Sequence, residues 1–246
     1  MNKTVIVLAS LLIGFSIHAQ TIQMDGKDGF KLYGDYTAAN VNSSKGVLML
    51  HQCNADRSMY QGLAKSLAAK GISSMSLDFR GYGDSVVDGN SIASMRKKAS
   101  SRQEYSEMMK KAGIGMHRVD DVEIAYQYLV AKLGDNAKVS LIGASCGGGQ
   151  AILLAEKHQV SSFVFFSSGM NEDYIEKFNK LSDVPTLIIA AQEDEYTYKS
   201  SKQIFEAAKS DKTRLLSYKG SGHGHPLFKQ DPHLENTMVN WFEQNF

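Results

Sequence analysis

The sequence predicts an α/β fold in which a mostly parallel central sheet is covered by helices on both faces. Apolar runs of strand length alternate with runs of helical periodicity along most of the chain, which favours parallel strands joined by helical crossovers. Residues 46–51 (GVLMLH) are continuously apolar, as expected of a strand buried on both faces. Several strands run directly into glycine-rich turns, and in such sheets ligand sites lie at the carboxyl ends of the strands.

The predicted elements follow one another in a regular order. Two strands at residues 21–24 and 31–36 are joined by a turn at residues 25–29. The strand at residues 46–51 is followed by a helix with one apolar face, which Gly71 terminates. Later strands are predicted at residues 72–79, 139–142, 162–166, 185–191 and 214–218. Later helices are predicted at residues 119–133 and 199–209, and along a final apolar stripe formed by Leu234, Met238, Trp241 and Phe242.

Residues 1–19 have the pattern of a signal peptide. Lys3 makes the start positive, residues 4–17 form an apolar run, and Ala19 is a small residue suited to cleavage. The run is short and poorly flanked for a membrane span, and an uncleaved anchor is the alternative. We therefore expect an exported protein, periplasmic or secreted, with a single domain over residues 20–246 and no stable membrane insertion.

The charge balance argues against two classes of partner. The chain has 27 Lys and Arg residues and 26 Asp and Glu residues. Removing the predicted signal peptide takes away Lys3 and no acidic residue, so the mature protein is close to neutral. Bulk charge therefore gives no support for a nucleic-acid partner or for an anionic membrane surface.

Ser145 is the candidate nucleophile. It lies between Gly143 and Gly147, where the strand at residues 139–142 passes directly into a helical pattern. A serine in such a turn is held in a strained conformation that exposes its hydroxyl at the end of the sheet. The alternatives are a serine that only caps the next helix, and Cys146 as the nucleophile.

The hydroxyl of a serine needs a base, and the base needs an orienting acid. His223, in the glycine-rich loop after the strand at residues 214–218, is the candidate base, with His225 as its competitor. Asp194 follows the strand at residues 185–191 and is the candidate acid. Glu193 and Glu195 are the alternatives for the acid.

Two backbone N–H groups are expected to hold the oxyanion that such a reaction forms. One belongs to the residue after the nucleophile, Cys146, and the other to the loop after residues 46–51, where we choose Cys53. These are the only two cysteines of the chain. They are either small apolar fillers or a disulfide, which an exported compartment permits.

These motifs resemble those of the α/β-hydrolase superfamily over essentially all of residues 20–246. The resemblance implies an α/β-hydrolase fold, the chain order Ser, Asp, His for the catalytic residues, and a small esterase or dienelactone-hydrolase-like member. Many members have His-Gly after the third strand, where this chain has His51-Gln52. The matching features are the His51-Gln52 turn, Asp78-x-Arg80-Gly81-x-Gly83-x-Ser85, Gly143-x-Ser145-x-Gly147, Asp194 and Ser221-Gly222-His223-Gly224.

Two connecting segments bear on the substrate. Residues 167–184 have room for one helix, so we expect no large cap domain and an open site. Residues 86–115 form a longer excursion with more basic than acidic residues and with Met95, Met108 and Met109. This excursion is either a solvated helical segment or an edge of the site that favours acyl groups with an anionic end.

The leading function is a serine hydrolase that cleaves a carboxylic ester, thioester or related acyl bond of a small molecule through an acyl-enzyme. We predict no cofactor and no metal. A binding protein with an inactive site on the same fold is the main alternative. A metal hydrolase is a further one, because His223-x-His225 and His51-x-Cys53 resemble ligand pairs.

Overall fold

The computed structural model describes residues 19–114 and 118–246. The signal-peptide prediction therefore lies outside the described residues, except for Ala19. The strands are β1 (Ala19–Asp25), β2 (Lys31–Thr37), β3 (Lys45–Leu50), β4 (Ser73–Leu77), β5 (Lys138–Ala144), β6 (Phe163–Phe166), β7 (Thr186–Ala191) and β8 (Arg214–Tyr218). The helices are α1 (Gln61–Ala69), α2 (Ile92–Lys98), α3 (Arg102–Lys111), α4 (Arg118–Leu133), α5 (Cys146–Ala155), α6 (Glu172–Asn179), α7 (Glu195–Ala207), α8 (Pro226–Gln230) and α9 (Leu234–Gln244). A 3-10 helix, Arg57–Tyr60, precedes α1.

The strands form one mostly parallel sheet in the order β1-β2-β4-β3-β5-β6-β7-β8. Only the pairings of β2, with β1 and with β4, are antiparallel. The fold class predicted from the sequence is therefore confirmed. Because β3 and β5 to β8 run in the same direction, the loops that follow them meet at one edge of the sheet.

Helices cover both faces of the sheet. One face packs against α4 and α5 through a cluster that includes Val122, Leu129 and Ile152. The other face packs against α1 and α9 through Leu63, Met238 and Phe242. Successive residues of β3 point to opposite faces, so both of its sides are apolar. This explains the continuous apolar run of residues 46–51.

The connections between strands agree with an open site. Residues 167–185, between β6 and β7, contain the single helix α6, so no large cap covers this edge. The predicted excursion at residues 86–115 carries α2 and α3 and has a small apolar cluster of its own, with Ile92, Met95 and Ile114 at its centre. Tyr82 packs against that cluster and joins it to the body of the protein.

Helix α7 begins four residues before the predicted start at residue 199, at Glu195. An acidic residue in the first turn is favourable at the positive end of the helix dipole, and Glu195 occupies that turn. Within residues 19–114 and 118–246, the helices fall short of the length and apolar character that a membrane span requires.

A partly buried ion network anchors the loop between β3 and α1 to the end of β4. The Arg57 guanidinium contacts the carboxylates of Asp35 (2.9 Å), Asp78 and Asp84 (2.6 Å). The Asp78 carboxylate also accepts the backbone N–H groups of Arg57 and Asp84. Burial raises the pKa of Asp78, and Arg57 and these N–H donors oppose that rise. The Arg57 guanidinium thus supplies a counter-charge to a carboxylate that burial disfavours.

The other members of the motif at residues 78–85 are also structural. Arg80 contacts the carboxylates of Asp28 and Asp121, each at 2.6 Å. A Cβ on Gly83 would lie 1.9 Å from an Asp78 carboxylate oxygen, and the φ of Gly83 is +49°, so the position requires glycine. The motif holds the end of β4 rather than supplying groups that react.

Replacing Arg57 by Met should lower the free energy of unfolding by about 3–5 kcal/mol, because the fully buried Asp78 carboxylate loses its counter-charge. Lys31→Met, which breaks the exposed ion pair with Asp25, is the matched control and should cost less than about 1 kcal/mol. Urea denaturation monitored by fluorescence measures both. Equal costs would contradict a supporting role for the Arg57 network.

Candidate active site

The turn at Ser145 has the strained geometry that the sequence predicts. Ser145 joins β5 to α5 with φ 49° and ψ −116°, a region that non-glycine residues rarely adopt. A Cβ on Gly143 would lie 2.5 Å from the Gly148 Cα, and a Cβ on Gly147 would lie 2.4 Å from the Leu50 carbonyl oxygen. The Ser145 side chain makes no capping hydrogen bond to α5, so the capping alternative is not observed.

The structure brings Ser145, His223 and Asp194 into one hydrogen-bonded line. The Ser145 Oγ lies 2.9 Å from the His223 Nε2, and the His223 Nδ1 lies 2.6 Å from the Asp194 Oδ2. The carboxylate partner is thus Asp194 and not Glu193 or Glu195. The His225 ring is exposed and lies edge-on to Phe228.

This line determines which nitrogen of His223 carries the proton. A carboxylate only accepts hydrogen bonds, so the Nδ1–H donates to Asp194 and the Nε2 presents its lone pair to the Ser145 hydroxyl. Thr197 donates its hydroxyl hydrogen to the same carboxylate oxygen and helps to hold it. The arrangement can remove a proton from Ser145 as its oxygen attacks an electrophile.

Two buried side chains that sequence reasoning missed hold the loop that carries His223. The Gln52 Oε1 accepts the His225 N–H at 2.8 Å, and the Ser167 Oγ accepts the Gly224 N–H at 2.9 Å. Gln52 lies just after β3 and Ser167 just after β6. That position, directly after a strand that ends at the site edge, is the sequence signal that points to them. A glycine at position 52 would lack this hydrogen bond to the histidine loop.

The two cysteines form a disulfide, Cys53–Cys146, with a Cα–Cα distance of 5.8 Å. The interpretation of separate apolar fillers is therefore wrong, and the disulfide alternative is correct. A cysteine in a disulfide is not a thiolate, so Cys146 is not available as a nucleophile or Cys53 as a metal ligand. Neither cysteine's backbone N–H donates to an acceptor among the described residues. Both N–H groups remain available at the residues chosen as oxyanion donors.

His51 is a buried structural residue beneath this loop. Its Nε2 accepts the Phe79 N–H at 3.0 Å, so its Nδ1 carries the hydrogen and donates to the Gln52 carbonyl at 2.7 Å. The ring packs against Phe79 and Tyr82. Burial lowers the pKa of His51 to about 4, so the imidazole is neutral near pH 7.

The histidine pairs that resemble metal ligands are used otherwise. Both ring nitrogens of His51 and of His223 have protein partners. In the part of the chain that the structure describes, no three or more His, Cys, Asp and Glu side chains lie together in a way that would hold a metal ion. The geometry around Ser145 therefore favours nucleophilic chemistry by the serine.

One protein family matches more than half of the chain. The family described as serine aminopeptidase, S33, matches residues 42–182, a segment that contains Ser145, both cysteines and the motif at residues 78–85. No curated protein sequence shows significant similarity to the chain.

Many solved structures share the fold. An esterase of Pyrococcus furiosus superimposes with a TM-score of 0.69 at 15% identity, covering 93% of each chain. A dienelactone hydrolase of Anabaena variabilis has a TM-score of 0.64 at 16% identity, covering 94% of this chain and 99% of its own. An esterase of Exiguobacterium antarcticum has a TM-score of 0.60 at 16% identity, covering 91% and 100%. At these identities the likeness establishes the fold.

The buried His51 should make stability depend on pH between about 6.5 and 4. The unfolded chain protonates this histidine below its ordinary pKa of 6.5, whereas the folded protein resists protonation down to about 4. The stability that neutral His51 contributes is therefore present above pH 6.5 and is lost as pH falls towards 4, by roughly 3 kcal/mol at most.

His51→Asn removes this titration. The difference in unfolding free energy between wild type and this variant should therefore shrink as pH falls from 7 to 4, measured by urea denaturation. The same substitution at the exposed His233 is the control. A difference that stays constant across this pH range for His51→Asn would contradict the assignment.

Proposed function

The chain belongs to the hydrolase family described as serine aminopeptidase, S33, and from this premise we propose that it is a serine hydrolase that cleaves a carboxylic ester, thioester or related acyl bond of a small molecule. The observation that carries the proposal is the hydrogen-bonded line from Ser145 through His223 to Asp194. The names of the esterases that share its fold agree with this substrate class.

The proposed reaction proceeds through an acyl-enzyme. The Ser145 Oγ attacks the carbonyl carbon while the His223 Nε2 takes the hydroxyl proton, and Asp194 stabilises the resulting imidazolium. The carbonyl oxygen becomes an oxyanion that accepts the N–H groups of Cys53 and Cys146. The imidazolium then returns its proton to the leaving group, and water repeats the sequence at the acyl carbon with His223 as its base.

The open edge of the sheet supports a small-molecule substrate. The connection between β6 and β7 contains only α6, and the side chain of His223 is about one-third exposed. We propose that the reaction needs no cofactor and no metal, and that the protein acts after export, as its first residues indicate. The competing hypothesis, an inactive binding protein on this fold, predicts no turnover of any ester.

Ser145→Ala should abolish labelling by a fluorophosphonate probe and lower kcat for p-nitrophenyl acetate by roughly 10⁵- to 10⁶-fold, because the nucleophile is lost. Ser161→Ala, at the opposite edge of the sheet before β6, is the matched control and should behave as wild type. Labelling that survives Ser145→Ala would refute the assignment. Loss of wild-type activity on chelation would favour a metal hydrolase, and a folded wild type without turnover would favour the inactive binding protein.

An aminoacyl p-nitroanilide belongs in the same assay, because the family description names aminopeptidases. We expect the ester to be turned over faster than the anilide. Faster cleavage of the anilide would assign the chain to peptide substrates instead, with the same nucleophile.

Two arginines near Tyr82 favour a substrate with an anionic end. The Arg118 guanidinium lies 5.2 Å from the centre of the Phe79 ring. Burial raises the pKa of the Tyr82 hydroxyl, and the nearby charges of Arg118 and Arg96 oppose that rise. Tyr82 in turn donates to the Cys53 carbonyl at 2.7 Å. We propose that these charges select acyl groups that end in a carboxylate.

The matched esters are p-nitrophenyl valerate and the mono-p-nitrophenyl ester of glutaric acid, which have acyl chains of equal length. The glutarate ester should have about a tenfold higher kcat/KM, equivalent to about 1.4 kcal/mol. Arg118→Gln should remove most of this preference, whereas Lys212→Gln, before β8 at the opposite edge of the sheet, should keep it. Equal kcat/KM values for both esters in the wild type would contradict the proposal.

A further inference from the structure

We propose that the Cys53–Cys146 disulfide is a positioning group for the proposed hydrolysis. It sets the separation of the two N–H groups that receive the oxyanion, and full activity therefore requires the oxidised protein. The inference rests on the proposed function, since it assigns a role to groups around Ser145.

The two cysteines differ in how firmly their surroundings hold them. Cys146 is the first residue of α5 and directly follows Ser145, in a turn where Gly143 and Gly147 pack against neighbouring backbone. Cys53 lies between β3 and the 3-10 helix, outside regular structure. The position of Cys146 is therefore set by β5 and α5, whereas the position of Cys53 depends on contacts within its loop.

Those contacts determine which way the Cys53 N–H points. This N–H belongs to the peptide unit that contains the Gln52 carbonyl, and that carbonyl accepts the His51 Nδ1–H and the Ala55 N–H. Because a peptide unit is planar, holding its C=O also orients its N–H. The next carbonyl, that of Cys53, accepts the Tyr82 hydroxyl at 2.7 Å. Hydrogen bonds therefore orient the donor from both sides.

None of these hydrogen bonds reaches the nucleophile. The partners of residues 52 and 53 lie in the loop itself, at Tyr82 and in the histidine loop. Among the described residues, the disulfide is the only bond that joins Cys53 to the turn at Ser145. It holds the two Cα atoms 5.8 Å apart, close enough for both N–H groups to converge on one oxygen. The hydrogen bonds orient the Cys53 N–H, and the disulfide sets its distance from the Cys146 N–H.

The distance matters more in the transition state than in the bound substrate. Negative charge on the oxygen develops only as Ser145 attacks. A displaced donor therefore stabilises the transition state less, while the binding of the neutral carbonyl is nearly unchanged. Misplacement by about 1 Å can cost as much as 10²-fold in rate. Loss of the disulfide should therefore lower kcat with little change in KM.

Both cysteines are only partly buried, so the bond is accessible to a dithiol. Dithiothreitol would reduce it by two thiol–disulfide exchanges. The first thiolate attacks one protein sulfur and forms a mixed disulfide, and the second closes the reagent into its cyclic disulfide. The protein gains two thiols and the reagent loses the same two hydrogens and two electrons. Oxidised glutathione reverses the change.

The test compares wild type, oxidised or reduced, with Cys53→Ala/Cys146→Ala, using p-nitrophenyl acetate. Reduction and the double substitution should each lower kcat at least tenfold and change KM less than threefold. The pH at which kcat is half-maximal should not move, because the contact between His223 and Asp194 is untouched. Dithiothreitol should not affect the double variant, and oxidised glutathione should restore the reduced wild type.

The fold is monitored by the fluorescence of Trp241, the only tryptophan, which is buried in α9. Activity that falls while this fluorescence stays native supports positioning. The positioning role would be overturned if activity fell only together with the native fluorescence. It would also be overturned by a folded double variant with kcat within twofold of wild type. Ser145→Ala with the disulfide intact tests the proposed function separately: if that variant retains hydrolysis, the nucleophile is wrong whatever the thiols do.

Discussion

The close approach of three backbone segments around Ser145 is the constraint on which the site depends. β5 enters the turn beside β3, and α5 leaves it so tightly that a side chain at Gly143 or Gly147 would collide with backbone atoms. This packing forces Ser145 into a positive φ. The cost of that conformation is met by the surrounding sheet and helix, which is the usual condition for strain at a functional residue.

Around this rigid turn, buried polar side chains hold the loops that bring the other groups. Gln52 and Ser167 accept N–H groups of the histidine loop, and His51 bridges the ends of β3 and β4. Each of these side chains is almost fully buried and has a partner, as buried polar groups must. These hydrogen bonds hold the histidine loop, between β8 and α8, at the edge of the sheet.

The ionic networks play a different part from the hydrogen bonds near Ser145. Arg57 binds the Asp78 carboxylate just after β4, and Arg80, two residues further on, binds the carboxylate of Asp121 in α4. Paired cations support the fold here, whereas the Arg118 guanidinium lies over the Phe79 ring.

The alternation of strands and helices, the continuous apolar run of β3 and the glycines around Ser145 were enough to predict the fold class from the sequence. The same reasoning selected Ser145, His223 and Asp194 as candidates, with the acidic neighbours of Asp194 left as alternatives, because each candidate follows a strand whose end lies at one edge of a parallel sheet. Periodicity and turn chemistry are local, so they can be recognised in the sequence alone.

The tertiary structure was needed for contacts between distant segments. These are the bond between Cys53 and Cys146, the choice of Asp194 over its acidic neighbours, and the roles of Gln52 and Ser167. These depend on side-chain directions and on distances of a few ångströms across the sheet edge, which no local pattern specifies.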